Sequence, residues 1–158
     1  MTIQQWIILL FSLVIGFGLA ILPLPDWANW FRPEWLAMVV IFWLLADSYH
    51  LGFALAWGTG LVLDVLQGGF LGVNALAMTL VAYPTIKFHR QLRSFPLWLQ
   101  TSIIVGLLLI YRLAIVIAHG MLGDYVNYQH VILPVVTSGL LWPWLYLLLT
   151  DLNQHARA

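Results

Sequence analysis

Long apolar runs dominate this chain, and short polar or proline-containing segments separate them. Runs of this length are typical of helices that cross a membrane. The pattern predicts six such helices, at residues 5–22, 34–46, 51–66, 71–86, 97–118 and 131–150. The helix at 34–46 would be about 20 Å long, against a hydrocarbon core of about 30 Å. The next two are also slightly short, which predicts local bilayer thinning or burial among longer neighbours.

The first apolar segment occupies the position of a signal peptide, but its details favour a retained helix of about 27 Å. No Lys or Arg precedes it, its apolar stretch exceeds a typical signal core, and residues 23–26 do not form a small-x-small cleavage site. Prolines then break the helix, and Trp27, Trp30 and Phe31 are expected at the level of the lipid head groups.

Composition supports an all-α integral membrane protein made of one domain over residues 1–158. Hydrophobic residues make up 63% of the chain and charged residues only 8%, whereas soluble domains carry about 25% charged residues. A soluble helical bundle is therefore disfavoured. The formal net charge is zero, which gives no indication of a nucleic-acid partner. The absence of cysteine excludes disulfides and thiolate metal sites.

Basic residues set the expected orientation. Lys87, Arg90 and Arg93 form the one basic cluster, in the loop before the fifth helix. With this loop and Arg157 in the cytoplasm, an even number of spans places both termini there as well. The cluster is interpreted as a topology signal that also attracts anionic lipid, and docking of a cytosolic protein is the alternative.

Residues 51–83 predict a close-packed pair of helices joined by a tight turn at Gln67-Gly68-Gly69. On the first helix, small residues and one carboxylate recur every four positions, at Gly52, Ala56, Gly60 and Asp64. On the second helix, Ala75, Thr79 and Ala82 form a matching stripe. Small residues on facing stripes let two helix backbones approach closely in lipid.

Asp64 has two interpretations, because a carboxylate inside a bilayer is costly unless it is paired or reaches water. It is either a structural anchor, accepting hydrogen bonds from the Gly68-Gly69 turn, or a contact for a ligand or partner. Arg112 lies about 10 Å below the outer end of the fifth helix. It either forms an intramembrane ion pair with Asp64 or extends alone towards the interface.

The remaining polar residues indicate packing and give no sign of chemistry. Asn74, Gln67 and Thr59 are expected to form interhelical hydrogen bonds, each worth roughly 0.6 kcal/mol. Pro143 predicts a kink in the sixth helix, and the flanking Trp142 and Trp144 either pack inside or face a partner helix. The histidines lack metal-ligand spacing and no catalytic motif is present, so neither a metal, a cofactor nor an active site is expected.

Three segments resemble the rod shape-determining protein family MreD. They are GLVLDVLQGGFLGVNALAMTLVAY at 60–83, FRPEWL at 31–36 and LWPW at 141–144. They occur in the family's order in a chain of similar length, so the resemblance covers nearly the whole sequence. Arg112 departs from the family pattern, which argues against a general role for its pair with Asp64.

The resemblance implies a non-enzymatic protein of the bacterial inner membrane that acts in the cell-elongation complex and supports peptidoglycan synthesis. Its expected partner is MreC, which links it to RodA and its class B transpeptidase partner, with RodZ and MreB contacted indirectly. The implied fold is like that of the substrate-binding subunit of energy-coupling-factor transporters. The candidate residues for helix packing or partner binding are Gly52, Ala56, Gly60, Asp64, Gly68, Gly72, Asn74, Trp27, Trp30, Phe31, Trp142, Pro143 and Trp144.

Two other classes of function are a transporter subunit and an intramembrane enzyme. A small-solute-binding subunit of a membrane transporter is the alternative, because Asp64, Gln67 and Asn74 would form a polar rim with Arg112. An intramembrane hydrolase or acyltransferase is disfavoured, since Asp64 and Arg112 have no nucleophile between them.

Overall fold

The computed structural model describes residues 2–46, 48–125, 127 and 129–157, and this part of the chain is all helical, without strands. Six of its helices coincide with the predicted segments, five to within three residues at each end, whereas the last continues to Arg157, seven residues beyond the predicted end at 150. The all-helical prediction is confirmed. Two short helices, α2 and α6, lie in the intervening loops. The helices are α1 (Ile3–Ile21), α2 (Asp26–Asn29), α3 (Trp35–Ala46), α4 (Ser48–Gln67), α5 (Val73–Lys87), α6 (His89–Ser94), α7 (Leu97–Met121) and α8 (Gln129–Arg157).

Three of these helices, α1, α7 and α8, are long and apolar enough to cross a membrane by length and composition. Two shorter apolar helices are α3 and the Gly52–Gln67 part of α4. The chain is therefore a helical membrane protein, and the crossing of the membrane by all six predicted segments stays a prediction.

Local signals in the sequence explain where several helices begin and end. The Thr2 side chain accepts a hydrogen bond from the Gln5 backbone N–H and the Gln5 side chain accepts from the Thr2 N–H, which makes a capping box at the start of α1. Gly68 and Gly72 have φ of 65° and 98°, a backbone region that favours glycine, and they carry the turn between α4 and α5. Helix α8 is continuous through Pro134 and Pro143, and the kink expected at Pro143 stays a prediction.

Helix α3 is the centre of the bundle. Every residue from 36 to 45 is buried, which fits an apolar helix without a polar face. Helices α1, α4, α5 and α8 pack on it, and these four close with α7 into a ring in the order α1, α4, α5, α7, α8. Helix α3 is therefore enclosed by helices that are longer than itself.

The α4–α5 pair is the tightest contact in the ring. A Cβ atom added at Gly60 would lie 2.4 Å from the Cα of Ala75, so the two backbones touch with no side chain between them. Ala56 on α4 and Ala75 and Ala82 on α5 are also fully buried. Small residues on both helices make this approach possible.

Candidate functional site

A polar cavity of about 260 Å³ lies at the end of the bundle where α1, α4 and α7 end and where α3 and α5 begin. It forms because α3 has 12 residues, about 18 Å of helix, and is shorter than the helices around it. We call this space the rim cavity. It is lined by Ala20, Arg32, Pro33, Glu34, Trp35, Leu36, Leu63, Gln67, Asn74, Tyr111, Arg112, Ile115 and His119.

Asp64 lies next to this cavity and holds the start of α5. Its carboxylate accepts hydrogen bonds from the backbone N–H groups of Gly72 (2.9 Å), Asn74 (3.1 Å) and Ala75 (3.4 Å). The N-cap residue of α5 is Gly72, which has no side chain to do this. The carboxylate from α4 therefore caps α5, and its charge also complements the helix dipole. These contacts support the interpretation of Asp64 as a structural anchor. Its hydrogen-bond donors lie at the start of α5 and not, as expected, in the Gly68-Gly69 turn.

Asn74 extends the contact from α4 to α7. Its side-chain amide donates to the Asp64 carboxylate at 2.9 Å and to the Gln67 side-chain oxygen at 3.3 Å. Its own side-chain oxygen accepts from the Tyr111 hydroxyl at 2.8 Å. Three helices are thus joined by a buried chain of polar groups. Sequence reasoning missed Tyr111, because a tyrosine inside an apolar helix gives no signal of its hydrogen-bond partner.

Arg112 pairs with Glu34 instead of Asp64. Its Nε lies 2.7 Å from a carboxylate oxygen of Glu34, and both side chains are largely shielded from solvent. The N–H does not point along this line, so the contact is a close ion pair and not a well-aligned hydrogen bond. The predicted pair is therefore not found in the described part of the chain. The physical reason is that the Asp64 carboxylate is already occupied by the N-terminus of α5.

Ser138 of α8 holds the start of α3 in a similar way. The backbone N–H of Glu34 donates to the Ser138 hydroxyl at 2.8 Å, and that hydroxyl donates to the Pro134 carbonyl at 2.6 Å. Ser138 is fully buried. A side chain from another helix therefore satisfies a backbone donor at the start of the central helix. No pattern in the sequence indicates this contact between α8 and α3.

Arg32 closes the end of α1. Its Nη2 donates to the carbonyls of Leu19 (2.7 Å) and Leu22 (2.9 Å), which lie in and just beyond the last turn. A cation at this position complements the negative end of the helix dipole. Partial burial lowers the pKa of the Arg32 guanidinium from its ordinary value, and the nearby Glu34 carboxylate opposes that shift. The guanidinium stays charged at neutral pH, since arginine does not lose its proton in proteins.

Comparison with known proteins agrees with the sequence resemblance. The family model of the rod shape-determining protein MreD matches residues 1–152. The rod shape-determining protein MreD of Haemophilus influenzae is 32% identical over 155 residues, covering 98% of this chain and 96% of that protein. The chain belongs to the MreD family. No solved structure matches it.

The stretch that carries the MreD resemblance, 60–83, has a clear structural role in this chain. It contains the close contact at Gly60, the Asp64 cap and the first turns of α5. Each of these features joins α4 to α5. In this MreD chain, the stretch therefore builds the hairpin wall of the rim cavity. The chain is thus a rod shape-determining membrane protein whose most recognisable segment is structural.

The other predicted residues divide into buried and exposed groups. Ala56, Gly60, Asp64, Asn74 and Trp142 are buried, and Gly52, Gly72 and Pro143 are partly exposed. Exposed members are Gly68, Trp27, Trp30, Phe31 and Trp144. The buried group is occupied by contacts within the chain, so a partner protein has access only to the exposed and partly exposed residues.

The histidines do not form a metal site in the described ranges, where no three His, Asp or Glu side chains converge. His119 lines the rim cavity and lies 3.2 Å from the Asp124 carboxylate. His130 packs its ring edge-on against Trp30. These contacts give the two residues roles in holding loops at the cavity end of the bundle.

Proposed function

We propose that this protein is a non-enzymatic inner-membrane component of the cell-elongation complex and that it binds MreC. Through MreC it is linked to RodA and its class B transpeptidase partner, with RodZ and MreB on the cytoplasmic side. The observation that carries the proposal is the MreD match over nearly the full length of both chains. A bundle with apolar outward faces, such as that of α1, is suited to binding other membrane helices.

The structure narrows the surface available to MreC. The expected docking surfaces are the hairpin groove and the outer loop with Trp27, Trp30 and Phe31, but Ala56 and Gly60 of the groove are buried inside this chain. The aromatic segment before α3 remains, with Trp27 at 74% exposure and Trp30 and Phe31 also exposed. Aromatic side chains are enriched at the centres of protein interfaces. We therefore place the MreC contact at this segment.

Co-purification of tagged MreC with single variants tests this surface. Trp27→Ala is expected to lower MreC recovery about tenfold, as for an interface hot spot. Trp98→Ala is the matched control, because Trp98 is equally exposed, at 72%, but lies at the start of α7 at the opposite end of the bundle. Equal recovery with both variants would remove the aromatic segment from consideration. Depletion of the protein without loss of rod shape would refute the wider proposal.

We also propose six membrane spans with both termini in the cytoplasm. The chain ends support this, because the Thr2 hydroxyl donates to the Ala156 carbonyl at 3.2 Å and the Gln5 amide donates to Asn153 at 2.8 Å. Both ends therefore lie at the end of the bundle that carries the basic cluster. The rim cavity then faces the periplasm.

Cysteine labelling tests the topology, since the chain contains no cysteine of its own. An impermeant maleimide added to intact spheroplasts is expected to label Tyr125→Cys, in the loop before α8, and not Ser94→Cys, at the end of α6. Both positions are exposed. Labelling of Ser94→Cys in intact spheroplasts would reverse the orientation.

The rim cavity also supports a second candidate function, a small-solute-binding subunit of a membrane transporter. The likeness to the fold of the energy-coupling-factor subunit stays a prediction. Its polar lining and volume of about 260 Å³ favour this alternative. The centre of the bundle does not, because α3 fills it with buried apolar side chains. A water-soluble metabolite retained on the purified protein would favour transport over MreC binding.

A further inference from the structure

The rim cavity carries an excess of positive charge. Its charged lining consists of Arg32, Arg112 and Glu34, so two guanidinium groups face one carboxylate. Asp64 does not line the cavity, and its carboxylate is taken up by the start of α5. An anion with one negative charge would balance this lining.

The two guanidinium groups at this cavity have N–H groups that no described residue accepts. The Nε of Arg32 is buried and makes no hydrogen bond within the described residues, whereas the Nε of Arg112 lies 2.7 Å from Glu34. Arg32 uses Nη2 for the end of α1, and Arg112 forms only a close ion pair with Glu34. Guanidinium groups donate best to the forked oxygens of phosphate and carboxylate. The arrangement therefore favours an acceptor from outside the chain.

The size and surroundings of the cavity favour a lipid head group over a larger solute. Its volume of about 260 Å³ exceeds that of a few water molecules, at about 30 Å³ each. Part of its wall is apolar, at Ala20, Leu36 and Ile115. The exposed Trp27 belongs to the same end of the bundle, and tryptophans mark the head-group level of membrane proteins.

We propose that the rim cavity binds the phosphodiester of a phospholipid head group. Arg32 and Arg112 donate to its oxygens, and Glu34 keeps Arg112 in place through their ion pair. A phosphodiester carries one negative charge, which matches the single excess positive charge of the lining. The site does not depend on MreC, and it can be tested on the isolated chain.

Native mass spectrometry of the delipidated full chain, titrated with phosphatidylglycerol, tests the proposal. Phosphatidylglycerol is expected to bind more tightly than a phosphate-free galactosyl diacylglycerol. The double variant Glu34→Gln/Arg112→Gln keeps the net charge but removes one donor. We expect it to bind about tenfold more weakly, as for the loss of one charge-assisted hydrogen bond.

Two further variants separate the cavity from general effects. Ala20→Leu places bulk at the cavity wall and leaves every charge intact, and it should also weaken binding. Arg157→Gln removes an exposed charge at the end of α8 and should leave binding unchanged. Circular dichroism checks that each variant is folded.

A competition experiment with inorganic phosphate and with excess phospholipid identifies the source of the bound phosphate group. Displacement of the lipid by inorganic phosphate at equal concentration would support a phosphate site filled from solution. Displacement only by excess phospholipid would support the head-group site. Wild-type affinity in both the double variant and Ala20→Leu, or equal binding of the glycolipid, would overturn the proposal.

Discussion

Replacement of Gly60 by alanine tests the closest contact in the bundle. The new Cβ would lie 2.4 Å and 2.6 Å from the Cα and N atoms of Ala75, and 2.8 Å from the carbonyl carbon of Asn74. All three are backbone atoms, so no side chain can rotate away and α5 itself must shift. Overpacking of this kind costs about 1–3 kcal/mol. The shift would also lengthen the hydrogen bonds from α5 to Asp64.

Gly58→Ala provides a control on the same helix. A Cβ at Gly58 would meet nothing within 4 Å, so only the intrinsic preference of helices for alanine remains, worth up to about 1 kcal/mol of stabilisation. SDS titration in mixed micelles, followed by circular dichroism and by the fluorescence of the nine tryptophans, measures both variants. If Gly60→Ala unfolds at the same SDS fraction as Gly58→Ala, a methyl group at Gly60 does not force α5 away from α4.

This result also governs how partner-binding data are interpreted. Gly60→Leu is expected to weaken the assembly with MreC, but Gly60 packs against Ala75 inside this chain. A loss of MreC binding in that variant would therefore report a damaged hairpin. Stability must be measured before such a variant is used to map the interface.

Three further predictions concern the polar contacts at the rim, measured by the same titration. Asp64→Asn keeps one acceptor oxygen but loses the charge at the start of α5, and should cost about 1–3 kcal/mol; an unchanged midpoint would show that the carboxylate is unnecessary. Ser138→Ala leaves the Glu34 N–H without its acceptor and should cost about 1 kcal/mol, whereas Thr137→Ala, whose hydroxyl bonds only within α8, should change little. Arg112→Gln alone should destabilise more than its combination with Glu34→Gln, because the single change leaves a carboxylate unpaired.

The helices could be predicted from the sequence because their signals are local. Apolar runs and the prolines at 23, 25, 33 and 96 mark most of the boundaries within a few residues. The close approach at Gly60 could also be predicted, since small residues at four-residue spacing favour close packing of two helices in a membrane. Burial among longer neighbours is the expectation for the helices at 51–66 and 71–86, whereas α3 is the helix that occupies the central position.

The partners of the charged residues could not be predicted, because they depend on how distant helices meet. Similar depth makes an Asp64–Arg112 pair one of two expectations for Arg112, but depth leaves the direction of each side chain open. One overlooked signal was Gly72, which cannot cap α5 and so requires an acceptor from elsewhere. Glu34 begins a predicted helix, and its position in the sequence does not indicate that Arg112 is its partner.

The central place of α3 has a consequence for how the chain enters the membrane. With 12 residues, this helix is too short to be recognised as a span by itself. It also leaves the ribosome before α4, α5, α7 and α8, which later surround it. We expect α3 to be held at the translocon beside α1 until the rest of the chain has been made, so that membrane insertion and folding of this protein are completed together.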